Sequence, residues 1–270
     1  MSSKIKPFAL NHMNIVLEDF DASVEFYRDI YGAVFLHDIP REDFHAGLLD
    51  LGGVMYELFV PQAFLFNMRH GPHYLGIEYA TDMDIARRAV EERGIRVARD
   101  IGVAIHTHPD DCFGVAFEFY SDDWFPRVWP DTGLQMQTPD HWRTQPGGLG
   151  GQRSYTMAVH DLDAATRFML DLFDTEVTFD EKRPHFGAHA RGVPLAGVTV
   201  ELLSPTGDGP LRDLMQRHGQ GILSTVYSVS NVEETRAYLE SRGLPTSIGS
   251  SEGGFAVPAE ANKGMMLEFV

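Results

Sequence analysis

The chain has 270 residues, 43% of them hydrophobic and 23% charged, which is the composition of a globular protein with room for two ordinary domains. A formal net charge of −17 and the lack of any Lys/Arg cluster exclude a nucleic-acid partner, because phosphate binding needs a basic face. No apolar run reaches the roughly 20 residues that span a bilayer, Met1-Ser2-Ser3-Lys4-Ile5-Lys6-Pro7 lacks a signal-peptide core, and a single cysteine, Cys112, excludes an internal disulfide, so the cytoplasm is the expected location.

In chain order, Leu10 to Leu17 reads as a short buried strand with one histidine, His12, set into it. Asp21 can cap the next helix and Gly32 can end it, which predicts a helix over 21–31. Strands are expected near 33–38, 45–51 and 54–60, with Gly52-Gly53 as a hairpin turn. Further strands near 74–80, 95–99, 102–107 and 114–120 surround a second helix over 83–93, where Ile85, Ala86, Ala89 and Val90 recur at helical spacing. Each half of this stretch follows the order βαβββ. Residues 131–152 are rich in Pro, Gly and polar side chains and read as a linker.

The remainder repeats what came before. Val159 to Phe168 echoes Leu17 to Phe26 at an offset of 142, and Val200 to Pro205 echoes Tyr56 to Pro61 at 144. Ala237 to Leu244 echoes Arg88 to Ile95 at 149, and Pro258 to Phe269 echoes Pro109 to Phe119 at about 150. A slowly drifting offset is the mark of a tandem duplication with small loop insertions. The expected domains are 1–130 and 153–270, joined by the 131–152 linker.

These residues carry a resemblance. His108-Pro109-Asp110-Asp111-Cys112-Phe113-Gly114-Val115-Ala116-Phe117-Glu118-Phe119 and Glu201-Leu202-Leu203-Ser204-Pro205-Thr206-Gly207 resemble motifs of the vicinal oxygen chelate superfamily, in particular its methylmalonyl-CoA epimerases. The resemblance implies an α+β fold of tandem modules, with four βαβββ units forming two cup-shaped curved antiparallel sheets. It also implies two metal ligands from each unit of an active cup. Carried over, these are His12 on the first strand, Glu57 on the fourth and Glu118 on the last. Counting back from Asp82, the remaining position falls on Leu75, which cannot bind a metal. His73, one residue pair earlier on the same face, is the candidate substitute.

Two imidazoles with one or two carboxylates suit Fe, Mn, Co, Ni or Zn as divalent ions, and such a centre can chelate two adjacent oxygens of a substrate. In the second copy the offsets put Ser154 at the place of His12 and Ser224 at that of Leu75, leaving only Glu201 and Glu268, so this cup is expected to be metal-free. Three functions are compatible with this. The first is a metal-dependent isomerase or lyase of the glyoxalase or epimerase kind, working through an enolate on a small oxygenated substrate. The second is an Fe(II) dioxygenase using His12, His73 and Glu118. The third is a metal-free binding or resistance protein.

Glu57, His45 and His73 are the candidate catalytic groups, with Glu42 and Asp43 as further bases near His45. His106-Thr107-His108 could bind metal, although Pro109 suggests that its strand is ending there. Cys112, in an apparent turn with no base nearby, is a poor nucleophile candidate. Trp124, Phe125 and Trp129 either pack the two copies together or, with Phe64 and Phe66, line a pocket for an apolar or aromatic ligand, and Arg69 and Arg127 could receive a carboxylate. The expected partners are a small-molecule substrate and, as an oligomeric option, a second copy in a homodimer, with no nucleic acid and no membrane.

Overall fold

The computed structural model describes residues 2–42, 44–61, 71–121 and 135–270. A first series of elements comprises β1 (Ala9–Val16), α1 (Phe20–Tyr31), β2 (Val34–Pro40), β3 (Phe44–Leu51), β4 (Val54–Pro61), β5 (His73–Ala80), α2 (Met83–Glu92), β6 (Val97–Asp100), β7 (Ala104–Thr107) and β8 (Ala116–Tyr120). After a short helix, α3 (Pro139–Thr144), comes a second series. It comprises β9 (Leu149–Ala158), α4 (Leu162–Leu172), β10 (Phe179–Arg183), β11 (Ala188–Leu195), β12 (Val198–Pro205), α5 (Pro210–His218), β13 (Gly221–Val229), α6 (Val232–Ser241), β14 (Ser247–Ile248), β15 (Phe255–Val257) and β16 (Leu267–Phe269).

Each series builds one eight-stranded sheet, in the orders β2-β3-β4-β1-β5-β8-β7-β6 and β10-β11-β12-β9-β13-β16-β15-β14. The two orders are the same permutation, so the repeat read from sequence is a repeat of topology, and the fold is α+β. Hairpin neighbours such as β3 and β4 are antiparallel, whereas β1 pairs β4 and β5 pairs β8 in parallel. The sheets are therefore mixed at their centres, because the βαβββ order returns its last strand beside its first in the same direction.

Local chemistry explains the element ends. Asp19, not Asp21, caps α1, its carboxylate accepting from the Ala22 N–H at 3.0 Å. Asp21 lies in the first turn instead, where a negative charge meets the positive end of the helix dipole. Gly32 ends the helix at φ 70°, a conformation that costs glycine nothing. Asp82 caps α2 in the same way through the Ile85 N–H, and Ala86, Ala89 and Val90 form its buried stripe. Gly52 and Gly53 adopt φ of 65° and 80° in the β3–β4 turn, as a two-residue hairpin requires. The glycine-rich stretch read as linker is partly structured, since α3 lies within it and β9 begins at Leu149.

The chain divides into two compact units, each combining βαβββ elements from both series. The first is Met1–Asn11, Gly76–Asp131 and Ser154–Leu223. Its core holds Phe117, Phe119 and Phe173, with the Tyr79 and Tyr155 hydroxyls bonded to each other in its interior. The second is His12–Leu75, Thr132–Arg153 and Ser224–Val270. Here the Tyr56 and Tyr227 hydroxyls meet at 2.8 Å, and Tyr31 donates to Asn262 Oδ1 at 2.8 Å. Burial raises the pKa of Tyr27, Tyr74, Tyr155 and Tyr227 well above the ordinary value, so these hydroxyls stay neutral and serve as hydrogen-bonding parts of the core. Among the described residues, no helix is long and apolar enough to cross a membrane.

Candidate metal centre

The middle of the first sheet is the strand sequence β4-β1-β5-β8-β7. Three of these strands bring His12, Glu78 and Glu118 together, with one ligand-capable atom from each lying within 4.8 Å of the others. All three side chains are buried. Glu78 and Glu118 are register partners in the parallel β5–β8 pair, so they leave the sheet on the same face. From β4, Glu57 Oε2 comes to 3.6 Å from His12 Nε2. Asn11 Nδ2 donates to Glu78 Oε1 at 2.7 Å. On β7, His106 stands opposite Glu118, with Nε2 at 3.0 Å from Glu118 Oε1. Burial works against the charged imidazolium of His106, but the charge and hydrogen bond of Glu118 outweigh it and raise the pKa.

Of the sequence-derived set, His12 and Glu118 thus lie together with Glu78, and Glu57 comes near His12. His73 is not in the group. It begins β5, half-buried, with Nδ1 at 2.8 Å from the Gly71 carbonyl oxygen. The reason lies in connection length. Three residues separate β1 from α1, Leu17 to Asp19, whereas only Thr81 and Asp82 separate β5 from α2. Counting back from the helix cap therefore slips by one residue and lands on Leu75, which belongs to the other face. Counted from the strand end, the counterpart of His12 is Gly76, and Glu78 lies one residue pair further along the same face. Sequence reasoning passed over Glu78 because a shorter connection inverts which residues face the site. It discounted His106 because of the nearby Pro109.

Other candidates fall elsewhere. His45 is bonded to Asp38 at 2.6 Å and stacks on Phe20 at a centroid distance of 4.0 Å. Glu42 is exposed. His108 lies past the end of β7 and accepts from the Asp110 N–H, starting a single 3-10 turn. Cys112 is fully buried and its thiol is pushed up to about 12, chiefly by that burial, so the thiolate is suppressed. Asp43, Phe64, Phe66, Arg69, Trp124, Phe125, Arg127 and Trp129 lie outside the described residues.

At the matching face of the second sheet the carboxylates are engaged by protein donors. The Ser154 hydroxyl bonds Glu201, whose other oxygen meets Arg183 Nη1 at 2.6 Å. Glu268 accepts from the Ser224 hydroxyl at 2.5 Å and from the Ser250 N–H and hydroxyl at 2.6 and 2.7 Å. Val226 is the register partner of Glu268, so it occupies the place that Glu78 holds beside Glu118.

The donor set of the first sheet fits a divalent cation. Gathering two carboxylates in a buried space incurs mutual repulsion and loss of hydration, and a cation between them and an imidazole offsets both. One nitrogen and two or three oxygens are ligands that Mn, Fe, Co, Ni and Zn ions accept.

Comparison with known proteins agrees with the architecture. Residues 155–257 match the sequence profile of the Glyoxalase/Bleomycin resistance protein/Dioxygenase superfamily. No curated protein sequence matches the chain. Among solved structures, the chain is similar to a triple mutant of 4-hydroxymandelate synthase from Streptomyces coelicolor. The TM-score is 0.73 at 14% identity, covering 97% of this chain and 92% of that one. It is also similar to methylmalonyl-CoA epimerase from Mycobacterium tuberculosis, at 18% identity and a TM-score of 0.41 over 45% of this chain and 87% of that one. At such identities the first likeness concerns the fold, and the second carries no argument. Residues 155–257 therefore resemble the glyoxalase/bleomycin resistance/dioxygenase superfamily in sequence, and the chain as a whole shares the fold of 4-hydroxymandelate synthase, with one strand order repeated in two sheets.

Proposed function

We propose that the chain is a divalent-metal-dependent enzyme whose working module is residues 1–130, acting on a small oxygenated substrate by enolate-type isomerisation or lyase chemistry. The observation that carries this reading is the burial of His12 with Glu78 and Glu118 within 4.8 Å of one another. These three would hold the cation. A bound cation would supply Lewis acidity, drawing charge from a substrate carbonyl and lowering the cost of removing the neighbouring proton. Glu57 is the group proposed to take that proton, since it stands next to the set with its side chain still 13% exposed. Residues 153–270 are proposed to support the working module, because Glu201 and Glu268 are already engaged by Ser154, Arg183, Ser224 and Ser250.

The dioxygenase alternative relied on His73 as a second imidazole, and the assembled group has a carboxylate in that role. The test is metal content of protein purified without chelators, by mass spectrometry, before and after loading with Mn, Fe, Co, Ni or Zn. About one ion per chain is expected in the wild type, and a large loss in His12→Ala and Glu118→Gln. Solvent-deuterium uptake into carbonyl substrates would then require Glu57, with Glu57→Gln keeping its metal and losing exchange. A wild type that takes up none of the five metals would leave the metal-free binding protein as the function.

A further inference from the structure

We infer that His106 and Asn11 are positioning residues, each holding one carboxylate of the centre so that its other oxygen is presented to a cation. This inference rests on the metal centre proposed above and adds two residues that do not themselves belong to the ligand group. Asn11 is fully buried and gives its amide N–H to Glu78 Oε1 at 2.7 Å, and His106 puts Nε2 at 3.0 Å from Glu118 Oε1. A glutamate has three rotatable bonds. A carboxylate fixed by one outer donor loses that freedom before a metal arrives, which is how outer partners strengthen metal ligands.

The second copy supplies an internal control. The residue opposite Glu268, where His106 stands opposite Glu118, is Ala256. At the offset of 142, Asn11 is replaced by Arg153 and His12 by Ser154. Val226 replaces Glu78. Glu268 persists, but its donors are Ser224 and Ser250 from other positions. The imidazole ligand, the extra carboxylate and both outer donors are therefore present in the first copy and all absent from the second. A generic structural need for His106 or Asn11 would be shared by both sheets. His106 and Asn11 have no counterparts in the second copy, where Glu268 takes its donors from Ser224 and Ser250 instead.

The test is a Mn2+ titration of the full-length protein by calorimetry, with melting of the metal-free form measured alongside. His106→Ala and Asn11→Ala are expected to weaken Mn2+ binding by about 10- to 100-fold. The metal-free Tm of both variants is expected to fall somewhat, because each leaves a buried carboxylate one donor short, so the conservative variant carries the decision. His106→Gln keeps a donor and should recover most of the affinity. Equal affinity in wild type and both alanine variants overturns this inference and leaves the metal centre standing. So does an affinity loss in His106→Ala that His106→Gln fails to relieve. A wild type that binds no Mn2+, and none of the other four metals, overturns the centre and this inference together.

Discussion

Glu78 and Glu118 are opposite each other on the parallel strands β5 and β8, buried and facing the same side of the sheet. Two acids in that relationship favour a bound cation over the empty state, so metal should stabilise the fold. Saturation at about 100 times Kd adds roughly 2.7 kcal/mol to a native state that alone binds the ion. Thermal unfolding with and without Mn2+ should show this as a rise in Tm that chelator reverses. Glu78→Gln should abolish the rise. A Glu78→Gln protein that keeps the full metal-induced shift would remove Glu78 from the centre.

The second sheet should respond in the opposite sense. Arg183 and Glu201 form a buried pair at 2.6 Å, with side chains only 9% and 4% exposed. Removing the arginine strands a buried carboxylate, and Arg183→Met is expected to destabilise by about 3–5 kcal/mol. Removing both charges in Arg183→Met/Glu201→Leu should recover much of that loss, because the uncompensated charge disappears with the second change. Urea unfolding of the two variants decides it. If the double variant is as unstable as the single, Arg183 matters for its packing and not for the charge. Metal uptake should be unaltered in both.

How much of this could be read from sequence depends on whether a feature is local or relational. The helices and most strands were legible from caps, glycines and apolar spacing. The duplication, and with it the fold, was legible because matched segments keep a nearly constant offset. His12 and Glu118, which the structure places within 4.8 Å of each other, were singled out because they sit at fixed distances from recognisable motifs. Glu78 was missed because its face depends on a connection one residue shorter than its counterpart, and period-two alternation turns one residue of slip into the wrong side of the sheet. His106 shows a different limit. Its partner Glu118 is adjacent across a strand pair, a relationship that neither residue's sequence neighbours reveal.

Asp50 makes a prediction about pH that is independent of the centre. It is fully buried at the end of β3, and burial raises its carboxyl from 3.8 to about 6, against the lowering effect of the Gln137 and Gly53 N–H donors at 2.6 and 3.1 Å. The folded state therefore binds this proton more tightly than the unfolded chain does. Between pH 3.8 and about 6 the folded form carries the larger share of protons, so stability falls as pH rises through that window. The full excursion is on the order of 3 kcal/mol. Asp50→Asn should flatten that part of the pH profile, although it loses one acceptor for the Gln137 N–H. Denaturant unfolding at several pH values between 4 and 7 is the measurement, and an unchanged slope in Asp50→Asn would show that another group titrates there.

Gly76 provides the sharpest test of the register. Counted from its strand end, it occupies the place that His12 holds on β1, so inserting a histidine there looks like the way to restore a second imidazole. The structure says otherwise: a Cβ at position 76 would lie 2.0 Å from the Ala116 carbonyl oxygen, a backbone atom that cannot swing away. Gly76→Ala is expected to cost about 1–3 kcal/mol through that overlap, and Gly76→His at least as much, with no gain in metal affinity. Glu78→His places the imidazole where a side chain already fits. It should bind metal with a preference shifted from Mn2+ toward Zn2+ and Ni2+, as expected when nitrogen replaces oxygen. Competition titrations on the two histidine variants separate the cases. A Gly76→His protein with wild-type stability and tightened Zn2+ binding would show that the β5 register, and the ligand set derived from it, is wrong.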